Sequence, residues 1–253
     1  MNVQHPLLRT KFLLPFLLCW LIAIIVAPMP ITALINYSAF TFLGMLGALF
    51  ANATGAGGGV VFIPFFNELN FSEQQSVATS FAIQCFGMTA GAITWITHYR
   101  IEKTELKLWQ GFKRISLVSS IGAIIGLWFV YGNAISSPSS LHQNFSWFSL
   151  LLGLFIIITL FFVAPQRERS QVHWYDWLAI GVISLLGGTI TAWLSVGVGE
   201  LIAVYLILRR FDVNMAVAVA VVVSAITVWS AIGQHTIVNM AVYWQVVLFA
   251  GPA

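Results

Sequence analysis

The chain has 253 residues, of which 59% are hydrophobic and only 8% charged. Its mean hydropathy is +0.92, whereas soluble domains carry roughly 25% charged residues. These values exclude a soluble globular domain, so the net charge of +3 reads as loop charge that sets membrane topology and not as a nucleic-acid footprint. Both cysteines, Cys19 and Cys85, fall in apolar stretches, so no disulfide framework is expected.

In chain order, seven membrane-embedded regions are predicted, at 12–27, 37–69, 76–98, 108–131, 145–164, 177–208 and 215–235, with a further apolar run from 242. The first follows Arg9 and Lys11 and ends in Ala27-Pro28-Met29-Pro30. It lacks a small-x-small cleavage site and is expected to be a retained helix. Regions 37–69 and 177–208 are longer than the ~20 residues one span needs. Each is broken at its centre, by Thr54-Gly55-Ala56-Gly57-Gly58-Gly59 and by Ser195-Val196-Gly197-Val198-Gly199-Glu200. Each break admits a kinked span or a re-entrant pair of half-helices.

The basic residues choose between these. All 11 lie in four groups: Arg9 and Lys11; Arg100, Lys103, Lys107, Lys113 and Arg114; Arg167 and Arg169; Arg209 and Arg210. With the N-terminus in the cytoplasm, hairpins place all four groups inside, whereas single spans throw the largest cluster outside. The positive-inside rule favours hairpins. The outer loops then carry Glu68 and Glu73 and no lysine or arginine.

The second half can be laid on the first at an offset of 140 positions, which matches Gly57 to Gly197, Gly59 to Gly199 and Phe71 to Phe211. With a slightly shorter loop, His98 and Trp109-Gln110 are echoed by His235 and Trp244-Gln245. Corresponding loops carry opposite charge character, which predicts an inverted-topology repeat of the kind found in secondary transporters. The expected architecture is all-α and polytopic. It has a first repeat at 1–131, a periplasmic linker at 132–144 and a second repeat at 145–253. Only eight residues follow Gln245, so the last helix is expected to be incomplete.

The stretch Gly55-Ala56-Gly57-Gly58-Gly59-Val60-Val61-Phe62-Ile63-Pro64, with Ala78-Thr79-Ser80 and His98 beyond it, resembles the glycine-rich signature of the sulfite exporter TauE/SafE family. The resemblance covers nearly the whole chain and is weaker in the second half. It implies a bacterial inner-membrane carrier exporting sulfite, sulfonates or related organosulfur anions. The second half departs from the pattern. Val198 and Val204 stand where the first has Gly58 and Pro64, and Glu200 stands where it has Val60.

Candidate substrate-binding residues follow from the breaks. Unwound backbone and helix N-termini can hold an oxyanion without a buried lysine, which points to Gly55, Gly57, Gly58, Gly59, Gly197 and Gly199. Asn52, Thr54 and Ser195 could add side-chain donors, and Thr79, Ser80 and Gln84 lie on the following helix. Close helix packing is the other use of such glycines. Glu200 is an intramembrane acid, hence a candidate carrier of a coupling proton; a structural acid bonded to backbone is the alternative. His98 and His235 at matching helix ends are candidate gating or relay residues, or interfacial helix caps.

The expected function is a secondary transporter exporting a small anion by alternating access about the two hairpins, with an ion gradient as energy source, since no Walker A pattern occurs. The alternatives are an anion channel with the hairpins as a fixed filter and, with less support, a membrane enzyme using Ser195 beside Glu200. No metal cluster, cofactor or nucleic-acid partner is expected. The partners are the bilayer, a small anion and a coupling proton.

Overall fold

The computed structural model describes residues 10–101, 109–137, 140–162, 169 and 171–253. Arg9, Lys103, Lys107 and Arg167 lie outside the described residues. In chain order the helices are α1 (Thr10–Val26), α2 (Ile31–Ser38), α3 (Phe40–Thr54), α4 (Gly59–Glu68), α5 (Glu73–Ile101) and α6 (Phe112–Gly132). They continue with α7 (Leu141–Phe162), α8 (Trp174–Leu194), α9 (Val198–Leu208), α10 (Val213–Gly233), a π-turn at Gln234–Val238 and α11 (Trp244–Ala250). No strand occurs among the described residues.

Among the described residues, five segments are long and apolar enough to cross a membrane: Ile31–Thr54, Glu73–Ile101, Phe112–Gly132, Trp174–Leu194 and Val213–Val238. Large apolar side chains on their outer faces and on α1 stand exposed, among them Ile25, Phe42, Ile125 and Leu178. Lipid is the solvent that such a surface requires.

Helices α5 and α10 form the central pair, with α4 packed on α5 and α9 packed on α10. Every residue from Met215 to Ala225 on α10 is buried. An alternating alanine–valine sequence keeps that helix slim and apolar all round, as a helix surrounded by others must be. Helices α6 and α8 approach most closely through small residues. A Cβ on Gly126 or Gly188 would collide with the carbonyls of Leu185 and Ala123, and one on Gly122 would sit 2.9 Å from the Ser184 Cβ. Gly122/Gly126 and Ser184/Gly188 are each spaced by four, the small-xxx-small pattern that lets membrane helices touch at the backbone.

The two glycine-broken regions share backbone conformations at an offset of 140. Helix α3 ends on Gly55 (φ 78°) and α8 on Ser195 (φ 62°), both left-handed. At the far ends of the following helices, Leu69 and Arg209 have φ/ψ of −85/7° and −78/3°. Asn70 and Arg210 then turn left-handed at φ 58° and 65°. The amides of Phe71 and Phe211 donate back to the carbonyls of Phe66 and Leu206, each at 3.0 Å, which is the Schellman closure of a helix end.

Within each region the two helices pack against each other. Asp176 and Gly187 are eleven positions apart, and so are Val198 and Arg209. A Cβ on Gly187 would lie 2.8 Å from the Val198 Cα, and Arg209 Nε donates to Asp176 Oδ1 at 2.9 Å. Helix α9 therefore returns to the end at which α8 began. In the first region Phe62 of α4 packs on Gly47 of α3. The end of α4 meets the lead-in to α11 in an aromatic cluster, with Phe71 stacked on Phe66 at 5.0 Å and tilted on Tyr243 at 5.1 Å. The Tyr37 and Tyr243 hydroxyls are 2.6 Å apart.

Candidate functional site

The breaks meet each other at the middle of the protein. A Cβ on Gly59 would stand 2.8 Å from the Ser195 carbonyl oxygen, and one on Gly199 would collide with the carbonyl oxygen of Gly55. These contacts are reciprocal, because Gly55 and Ser195, like Gly59 and Gly199, are 140 positions apart. The close approach leaves no space for a side chain at either glycine. That is the local reason the sequence carries them.

Glu200 joins the breaks. It is 5% exposed and sits in the first turn of α9. Its Oε2 accepts the amide of Gly197, the residue capping that helix, at 2.8 Å. Its Oε1 accepts the amide of Gly57 from the other break at 2.9 Å. Gly197 has φ 140°, a conformation that favours glycine. Both short helices, α4 and α9, start at this point, and helix N-termini favour a negative charge. Among the described residues, this buried carboxylate is held by backbone dipoles and by no cation.

Beside it lies a polar cluster carried by α5. Gln84 Nε2 is 2.8 Å from Ser195 Oγ, 3.1 Å from the Ser195 carbonyl and 3.0 Å from Ser80 Oγ. The two amide hydrogens can serve two of these acceptors at once. Ser195 Oγ donates to Ser80 Oγ at 2.9 Å. A Cβ on Gly57 would lie 2.9 Å from Gln84 Oε1 and 3.7 Å from Glu200 Oε1, so the amide, the carboxylate and the first break share one small volume. Thr191 Oγ1 accepts the amide of Val198 at 3.0 Å, which satisfies another donor at the start of α9.

The centre is closed. A crevice lined by Gly58, Gln84, Gly47 and Phe62 runs from it toward Gly251, with about 10 Å³ of free space. That is room for roughly one water. A wider, polar recess of about 450 Å³ opens between Tyr99, Gln110, Lys113, Arg114, Gln171 and Trp177.

Of the residues singled out in the sequence, the structure gathers Gly55, Gly57, Gly58, Gly59, Ser80, Gln84, Ser195, Gly197, Gly199 and Glu200 at this centre. Others lie apart. Thr54 is exposed, and its hydroxyl donates to the Phe50 carbonyl at 2.6 Å. Asn52 Nδ2 donates to Ala48 and Gly87 carbonyls on α3 and α5. Thr79 Oγ1 accepts the Tyr243 amide at 3.0 Å and so anchors the lead-in to α11. His98 sits among Trp95 and Trp109. His235 is buried against Phe81, with Nε2 2.9 Å from the Tyr131 hydroxyl.

Sequence reading missed Asp176, because the predicted region began at 177. It is fully buried and accepts from Arg169 Nη2, Arg209 Nε, the Tyr205 hydroxyl and the His173 amide, all at 2.8–2.9 Å. Its position three residues after His173, in the first turn of α8, is the helix-start signal that could have found it. Glu200 is therefore one of two buried acids on the α8–α9 pair, and among the described residues only Asp176 of the two is ion-paired.

No curated protein and no solved structure matches the chain. The profile of the family described as sulfite exporter TauE/SafE matches residues 40–253, a span that takes in both breaks and every residue of the centre. The chain is a multi-pass membrane protein and belongs to the sulfite exporter TauE/SafE family.

Proposed function

We propose that the protein is a secondary transporter that exports a small sulfur oxyanion, sulfite or an organic sulfonate, by alternating access about its two glycine breaks. The observation that carries this reading is the meeting of Gly57 and Gly197 on one buried carboxylate. Broken helices whose N-termini converge near the midplane are the substrate site of many secondary carriers. The halves 1–131 and 145–253 are inverted copies joined by a periplasmic segment at 132–144, and each break is the tip of a re-entrant hairpin. The matched helix ends at Asn70 and Arg210 support the repeat. The return of α9 to Asp176 supports the hairpin.

The protein lies in the bacterial inner membrane with its N-terminus in the cytoplasm. The basic recess at Lys113 and Arg114 then faces inward, where positive charge raises the local concentration of an anion awaiting export. Glu200 couples transport to protons. His98 and His235, at opposite ends of the protein, gate the two approaches. The substrate meets Gly55, Gly57–Gly59, Gly197, Gly199, Ser80, Gln84 and Ser195 when the centre opens. Asn52, Thr54 and Thr79 shape the helices around it.

Flux of radiolabelled sulfite, sulfoacetate and taurine in proteoliposomes, with and without a pH gradient, tests the proposal. Saturable flux that responds to the gradient is expected. Unsaturable, gradient-independent conductance would identify an anion channel with the same pair of breaks as a fixed filter.

A further inference from the structure

We propose that the Glu200 carboxylate is a tethered stand-in for the transported anion, occupying the oxyanion site of the closed protein and leaving it, as the neutral acid, when substrate binds. This deepens the transport reading above and rests on it.

The donors of the site are already in use. Each carboxylate oxygen accepts one amide, Oε1 from Gly57 and Oε2 from Gly197, and the two amides come from opposite halves of the chain. A ligand that takes both donors must present two oxygens on one central atom, at the spacing of a carboxylate. Sulfite and sulfonate groups have that edge. Halides, with a single centre, do not.

Substrate and Glu200 exclude one another. The carboxylate occupies both amides, and the neighbouring crevice at Gly58 and Gln84 has about 10 Å³ of free space, room for roughly one water and not for a sulfonate. Binding therefore requires the side chain to swing out of the two amides. The polar groups bordering the breaks are Gln84 and Ser80 on α5, Thr191 and Ser195 from α8, and Ser224 on α10, whose hydroxyl would touch a Cβ on Gly199. All are neutral, so none receives a displaced carboxylate as an ion partner.

The titratable groups of the packed elements lie elsewhere. Asp176, Tyr205 and Arg209 bond to one another toward the other end of the α8–α9 pair. Cys85, next to Gln84 in the chain, packs in an apolar cluster with Leu194 and Val196 and offers no cation, and His235 lies about three helical turns beyond Ser224. An ionised carboxylate moved off its donors into such surroundings is too costly to persist. It takes a proton from the water that admits the substrate. The charge at the centre is then conserved. One anion enters, one carboxylate becomes neutral, and one proton is taken up for each anion bound. The equivalent position in the first half is Val60, so the site holds a single such acid.

The test uses purified full-length protein and methanesulfonate, a probe with no titratable group of its own in the working range. In weakly buffered detergent solution, wild type is expected to take up a proton on binding, with affinity falling about tenfold per pH unit once the acid is ionised. Glu200→Gln is expected to bind without proton uptake and with affinity independent of pH. An infrared difference spectrum of wild type should show a carboxylate band replaced by a protonated-carboxyl band on binding; this readout does not depend on any variant folding. Binding by wild type without proton uptake, or equal uptake by Glu200→Gln, overturns the proposal. Proteoliposome flux of sulfite or methanesulfonate without proton uptake overturns it alone and leaves the transport reading intact. Absence of both binding and flux for every sulfur oxyanion overturns the two together.

Discussion

The amide of Gly57 and the carboxylate of Glu200, 143 residues apart in the chain, are 2.9 Å apart in the folded protein. Through this bond the first glycine break is tied to the second. It makes Glu200 a structural residue of the closed centre as well as the proposed coupling group.

Replacing Glu200 by Val, the residue at the equivalent position of the first half, would leave the amides of Gly57 and Gly197 buried without an acceptor. A cost of about 1–3 kcal/mol for each stranded donor is expected. Glu200→Gln keeps one carbonyl oxygen and should lose less. Thermal unfolding in detergent, followed by tryptophan fluorescence, orders the three proteins; an unchanged midpoint for Glu200→Val would show that other acceptors serve these amides.

Asp176→Ala should also destabilise the fold. The carboxylate is fully buried and holds Arg169, Arg209 and Tyr205 together. The two arginines left behind are 20% and 34% exposed and can hydrate, so a loss of about 1–3 kcal/mol is expected. Arg209→Ala should cost less, because its side chain is 34% exposed. The same unfolding assay, run at low and high salt, checks the order; a larger loss for Arg209→Ala would contradict it.

Asn70 and Arg210 occupy the same backbone position at the ends of α4 and α9. If the halves are inverted, they face opposite sides. In a background of Cys19→Ser and Cys85→Ala, Asn70→Cys should react with an impermeant thiol reagent from the periplasmic side. Arg210→Cys should react only from the cytoplasmic side. Labelling of both from one side would exclude the inverted arrangement.

Two glycines give a matched pair of substitutions. Gly59→Ala would place a Cβ 2.6 Å from Val196 Cγ1 and 2.8 Å from the Ser195 carbonyl, and overpacking of this kind costs about 1–3 kcal/mol. Gly181→Ala, inside α8, would meet nothing within 4 Å and should be neutral or stabilising by up to about 1 kcal/mol. Reduced flux is expected for the first and normal flux for the second.

Much of this protein is written locally. Apolar runs mark most of the helices, since a bilayer admits only backbone that satisfies its own hydrogen bonds. Gly55 and Gly197 announce the breaks, since a left-handed turn beside close backbone contact selects glycine. The family signature is local too, and residues 40–253 match it. The offset of 140 positions is legible because Phe71 and Phe211 keep their spacing from the breaks.

What the tertiary structure alone decided is which groups satisfy one another. Glu200 shows as an isolated acid in the sequence; only the fold brings the amide of Gly57 to it. Ser195 and Gln84 lie 111 residues apart, and no periodicity pairs them. Thr54 looks equivalent to its neighbours in the glycine stretch, yet helix phase turns it outward while Gly57 turns in. Asp176 lay just outside the predicted span, and its role depends on the return of Arg209 along α9. Periodicity and charge report how a residue meets its solvent. Hydrogen-bond partners across the bundle are set by packing, and that is a property of the whole chain.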